Sequence, residues 1–245
     1  MADYNSRVRT TGTAIPAIDE GLRAYMLRVY NYMLVGLGLT GVAAFATANT
    51  PLVNLFFSYN EQAQAFGPNL LGWVAIIAPV ALVFFLSFRV HKMSFATAQM
   101  TFWVYATLMG ISIASILLNF TGASAARVFF ITAGTFGAMS LWGYTTKRDL
   151  TGWGSFLLMG LIGLLIASVV NMFLASTMLH WVVSVAGVLI FTGLTAYDTQ
   201  RIKQSYDVSM DGEATGKMAI MGALSLYLDF INLFIMLMRI LGERR

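Results

Sequence analysis

The chain has 245 residues, 58% of them hydrophobic and only 11% charged, where soluble domains carry about 25% charged residues. So little charge cannot cover a water-facing surface, and disorder, which needs low hydrophobicity and high charge, is excluded with it. The formal charge of +4 lies beside apolar stretches. Such placement marks membrane edges, and without a basic stripe interleaved with aromatics it argues against nucleic-acid binding.

Residues 1–24 read as a polar, mixed-charge cytoplasmic tail carrying Arg7, Arg9, Asp19, Glu20 and Arg23. They lack the short apolar core and small-residue cleavage site of a signal peptide. Seven apolar stretches follow, at 26–48, 69–88, 94–118, 125–146, 153–174, 177–200 and 216–241. Each is near the ~20 residues a helix needs to cross ~30 Å of hydrocarbon. Lipid-exposed backbone must satisfy its own polar groups, and runs this long do so as helices. The expected fold is therefore an all-α polytopic membrane protein, with 25–242 a single seven-helix domain and 243–245 a basic C-terminal end. Pro79 should kink the second segment. Gly36, Gly38 and Gly41, and Gly134, Gly137 and Ala138, allow close helix contact, while Trp153 and Trp181 open their segments as interfacial anchors.

Loop charge sets the orientation. With the N-terminus in the cytoplasm, Arg7, Arg9, Arg23, Arg28, Arg89, Lys92, Lys147, Arg148, Arg201, Lys203 and Lys217 fall inside, and Arg127 alone lies in an outside loop. That is a strong positive-inside asymmetry. Arg239, Arg244 and Arg245 work against it, because seven crossings put them outside.

Ionisable residues within membrane segments are costly and are functional candidates by default. Asp229 stands in LSLYLDFINLF at 224–234, with apolar turns on both sides. Asp198 stands in GLTAYDTQRIK at 193–203, near the cytoplasmic end of the sixth segment. The short loop between them makes the last two segments an antiparallel hairpin, across which the carboxylates can face each other. Two facing carboxylates in a low-dielectric site share a proton, which makes the pair a pH sensor. Ionised, they offer up to four oxygens to a hard cation such as calcium. Plainer readings are an Asp198–Arg201 pair three residues apart and a structural hydrogen-bonding role for Asp229 beside Asn232. Arg89, in FFLSFRVHKMS at 84–94, either reaches inward to neutralise a carboxylate or snorkels as an anchor. His91 and His180 sit at membrane edges. With no cysteine, no mid-helix histidine and no Walker-type glycine loop, no cofactor is expected.

GLTAYDTQRIK at 193–203, followed by ALSLYLDFINLFIMLMRILG at 223–242, resembles the signature of the transmembrane Bax-inhibitor-motif family, in a bacterial member. The resemblance spans 20–242. It implies six helices packed around a central seventh, and a calcium leak gated by pH through two aspartates that map onto Asp198 and Asp229. It also implies an arginine latch on the second helix, for which Arg89 is the best match and Lys92 competes. An acidic residue that some relatives carry on that helix has no counterpart in 69–88.

The leading expectation is thus a pH-regulated passive calcium (cation) leak in a bacterial inner membrane, with calcium as transported ion and no enzymatic activity. The lipid bilayer and the cation are its expected partners. A second reading is a non-transporting regulator that binds other membrane proteins in stress or quality control. A remote third is an intramembrane aspartyl protease. Against it, the second aspartate follows LYL rather than GxG, and no proline lies beyond Pro79 to supply a Pro-Ala-Leu element.

Overall fold

A computed structural model describes residues 14–62 and 64–244, with side chains from Glu20 onward. Arg7, Arg9 and Arg245, counted above for topology, and the Asp19 side chain lie outside what is described. Eight α-helices and one hairpin make up most of the described chain. They are α1 (Ala14–Asn49), a short α2 (Val53–Phe56), β1 (Phe57–Asn60), β2 (Ala65–Pro68), α3 (Leu70–Arg89), α4 (Phe95–Asn119), α5 (Gly122–Thr145), α6 (Thr151–Leu174), α7 (Thr177–Gln204) and α8 (Gly212–Leu241). Seven helices are long and apolar enough to cross a membrane, as the hydropathy pattern predicts.

Helix ends differ from the predicted ends where charge and backbone bonding disagree. The 14–24 stretch, read as tail, is the first part of α1, α7 runs on to Gln204, and α8 begins four residues early at Gly212. A charged residue marks where a helix leaves hydrocarbon, while the i→i+4 ladder continues into water. Most long helices start on a side-chain cap: Asn69, Ser94, Thr121, Ser176 and Asp211 each accept a hydrogen bond from a first-turn backbone N–H. Those caps satisfy donors the helix cannot.

The long 49–68 connection is ordered. β1 and β2 pair antiparallel in register Phe57 with Pro68 through Asn60 with Ala65. Phe57 is buried against Ala114 and Leu118 of α4, and Asn119 clamps the hairpin by accepting from Phe66 N–H and donating to Phe66 O.

α8 is the most buried helix. Its main neighbours are α1, α4, α5 and α7; α3 rests mainly on α4, and α6 mainly on α7. Tyr227 of α8 anchors this centre. Its ring meets Phe102 and Tyr105 edge-on, and its hydroxyl lies 2.6 Å from Thr40 Oγ1 of α1. A second polar thread ties α1, α5 and α7 together: Tyr30 OH to Ser140 Oγ at 2.6 Å, and Ser140 Oγ to Thr199 Oγ1 at 3.0 Å. Between membrane helices such bonds are each worth about 0.6 kcal/mol on average.

The connections sort onto two ends of the bundle. At one end the α3–α4 connection meets α8 through Lys217 Nζ and Met93 O, the α5–α6 connection meets α7 through Gln200, and the Tyr206 ring packs at a tilt against Tyr25. At the other end the residues after α8 join the α4–α5 connection: Thr121 N–H donates to Glu243 O, and Glu243 pairs with Arg127 at 3.0 Å. The last helix therefore traverses the whole bundle, so the crossing number is odd despite Arg239 and Arg244.

Candidate functional site

The site begins with four consecutive residues on α7. Successive helical residues turn by about 100°, so each faces a different neighbour. Tyr197 packs on Gly154 of α6, where any Cβ would collide with its ring. Thr199 bonds to Ser140 of α5. Gln200 holds the α5–α6 connection, its Oε1 accepting from Leu150 N–H and its Nε2 donating to Arg148 O, both at 2.8 Å. Asp198, the fourth, faces the seam between α6, α7 and α8. The neighbouring turn is equally close-packed, since Gly143 of α5 lies against the Ala196 backbone.

Register along α7 and α8 brings the two aspartates together. Gly222 packs against Ile202, and Arg201 reaches Ser225 Oγ at 3.3 Å. Moving three residues further along each antiparallel helix brings Asp198 level with Leu228 and Asp229. α7 runs on past Asp198 to Gln204, so both carboxylates stand on continuous helix at this level. Both aspartates line one cavity of about 610 Å³ between α6, α7 and α8. Ser225 and Asn232 add neutral oxygens to its wall, and Leu158, Leu161 and Leu165 of α6 make its other side apolar.

The two carboxylates are held differently. Asp198, with its side chain 13% exposed, pairs with Arg201 at 3.4 Å. The guanidinium also lies 5.8 Å from the Tyr197 ring centroid. The local i,i+3 ion pair is thus present. Asp229 is 5% exposed, and its Oδ2 has no hydrogen-bond partner among the described residues. Asn232 donates to Leu228 O, its own preceding turn, at 2.8 Å.

Arg89 is exposed at the end of α3 and Lys92 is exposed in the turn after it; neither lines the cavity that holds the aspartates. In this conformation the cation against Asp198 is Arg201. The sequence marks Arg201 as a membrane-edge charge and as the i,i+3 partner of Asp198, but gives no sign of Ser225. A register count along the predicted hairpin was the signal that would have set Ser225 opposite Arg201. His91 and His180 stay at the bundle ends, each beside a different cavity.

The comparisons with known proteins agree on family. Residues 22–245 match the family described as inhibitor of apoptosis-promoting Bax1. Over their full lengths, the chain and an uncharacterized protein of Rickettsia prowazekii are 49% identical. Inner membrane protein YbhL of Escherichia coli is 48% identical over 92% of this chain and 94% of its own length. A Streptococcus pyogenes protein named as a membrane protein is 35% identical over 92% of this chain and 95% of its own length. Seven long apolar helices and a match of this extent establish that the chain is a multi-pass membrane protein belonging to the Bax-inhibitor family.

Proposed function

We propose that this protein is a pH-regulated passive cation leak, with calcium as its cargo, in which Asp198 and Asp229 form the titrating gate. The observation that carries the reading is that both carboxylates line one cavity inside a seven-helix bundle. Burying two acids there costs stability, and intramembrane acids are kept where they handle ions or protons. Asp198, Asp229, Ser225 and Asn232 offer fewer fixed oxygens than the six to eight that calcium takes. That suits a partly hydrated ion in transit better than a resident metal.

In the closed form, ionised Asp198 holds Arg201, and Arg201 reaches across to Ser225 on α8. Protonating the pair removes the charge that holds the guanidinium, so α7 and α8 are freed to shift against each other and the leak opens as pH falls. A two-state helix contact biased by a proton suffices for such a switch. Arg89, outside the cavity, serves here as a membrane-edge anchor. The same reading puts the protein in a bacterial inner membrane with its N-terminus in the cytoplasm, because the described end that carries Arg23, Arg28, Arg89, Lys92, Lys147, Arg148, Arg201, Lys203 and Lys217 is the basic one.

The test is calcium flux into dye-loaded proteoliposomes from pH 5 to 8, for wild type, Asp198→Asn, Asp229→Asn and the double variant. The expected result is a leak that grows as pH falls and loses its pH dependence in the variants. Flux that keeps a normal pH profile in the double variant would refute the gate. No flux above empty liposomes from folded wild-type protein would refute transport and leave the regulator reading.

A further inference from the structure

Three cavities follow one another along α8. The first, about 530 Å³, sits at the basic end and is lined by His91, Ser205 and Lys217 among others. The central one holds the aspartates. The third, about 260 Å³, lies at the opposite end, lined by Asn171, His180 and Val183. Neighbouring cavities share walls. Arg201 and Ser225 line both the first and the central cavity. Ser168 and Arg239 line both the central and the third. Ser225 and Arg239 are fourteen residues apart on α8, about 21 Å along the axis. The central cavity thus spans most of ~30 Å of hydrocarbon, with an arginine at each end.

The two arginines are held unequally. Arg201 is tied to Asp198 and Ser225. Arg239 has no side-chain hydrogen bond or ion pair among the described residues. Its companion at the boundary, Ser168, spends its hydroxyl on Leu164 O in its own helix at 2.8 Å. Among the described residues nothing pairs with Arg239, whose exposed side chain lines both the central and the third cavity, and a positive side chain along a path opposes cations.

We propose that the cation path runs through all three cavities and that Arg239 is an electrostatic gate along it, on the side opposite Arg201. This rests on the leak reading for its cargo, but the path itself is tested without any flux. The chain has no cysteine, so one introduced thiol reports on its own position. Asn232→Cys places that thiol in the central cavity. Reconstituted protein is labelled from the C-terminal side with membrane-impermeant methanethiosulfonates, one cationic and one anionic.

Arg239→Gln should speed the cationic reagent by about tenfold relative to the anionic one, and Arg239→Lys should leave the ratio unchanged. A purely anchoring arginine predicts no change in that ratio. Equal ratios with and without the Arg239→Gln substitution, in folded protein, would overturn the proposal, as would a thiol unreachable from that side in both backgrounds. Altered labelling without calcium flux would keep the path and sink the leak. A pH-gated leak with unaltered labelling would do the reverse.

Discussion

Gln200→Leu isolates one structural role within the 197–200 segment. Gln200 is 6% exposed and Leu150 3%; the Gln200 side chain satisfies the Leu150 N–H and the Arg148 carbonyl, both at 2.8 Å. Leucine fills similar space but accepts and donates nothing. The Arg148 carbonyl sits in an exposed residue and can turn to water, whereas the buried Leu150 N–H is orphaned. An orphaned buried donor costs about 1–3 kcal/mol, and each 1.4 kcal/mol is a factor of ten. The α5–α6 connection should therefore open about 5- to 150-fold more often. Lys147 and Arg148 are exposed within it, so trypsin reads the opening directly. When reclosing outpaces cleavage, the cleavage rate follows the open population. The assay is the time course of cutting after residues 147 and 148, followed by mass spectrometry in nanodiscs, with helicity checked by circular dichroism. Lys203 still donates to Tyr144 O at 2.8 Å, which confines the effect to the connection. An unchanged cleavage rate in folded Gln200→Leu protein would refute the claim that this glutamine holds the connection shut.

Gly154→Ala drives a Cβ into the Tyr197 ring and should lower stability by about 1–3 kcal/mol, read as a lower melting temperature, while Gly163→Ala, whose Cβ meets nothing, should not. The Asp149 carboxyl is held below the usual range by the Thr151 hydroxyl and then by the Thr151 N–H. A depressed folded pKa gives stability that is present above the unfolded pKa and lost as pH falls through the folded one. Protection factors for hydrogen exchange at residues 150–152 should accordingly fall as pH drops below the ordinary carboxylate range, and Asp149→Asn should flatten that dependence. With the basic end inside, alkaline phosphatase fused after Gly242 should be active and one fused after Lys92 inactive; the opposite pattern would reverse the orientation.

Number and place of the membrane helices were legible in the sequence, because hydrocarbon admits only backbone that satisfies itself and seven apolar runs leave no other solution. The two aspartates were legible for the same reason: a charge amid apolar turns is conspicuous wherever the chain folds. Asp198 and Asp229 face one cavity only because Ile202 packs on Gly222, and that register is a property of two surfaces in contact. The i,i+3 spacing made an Asp198–Arg201 pair readable in the sequence, but not that Arg201 rather than Arg89 is the cation at the site. Arg89 and Arg201 are both arginines at helix ends, and hydropathy cannot tell which one the packing turns toward the acid. The 57–68 hairpin was hidden because its strands are four residues each and are held largely by Ala114, Leu118 and Asn119, on a helix far along the chain. Where solvent alone dictates structure, sequence suffices; where one helix must choose which face to offer another, shape complementarity decides, and that exists only once the chain has folded.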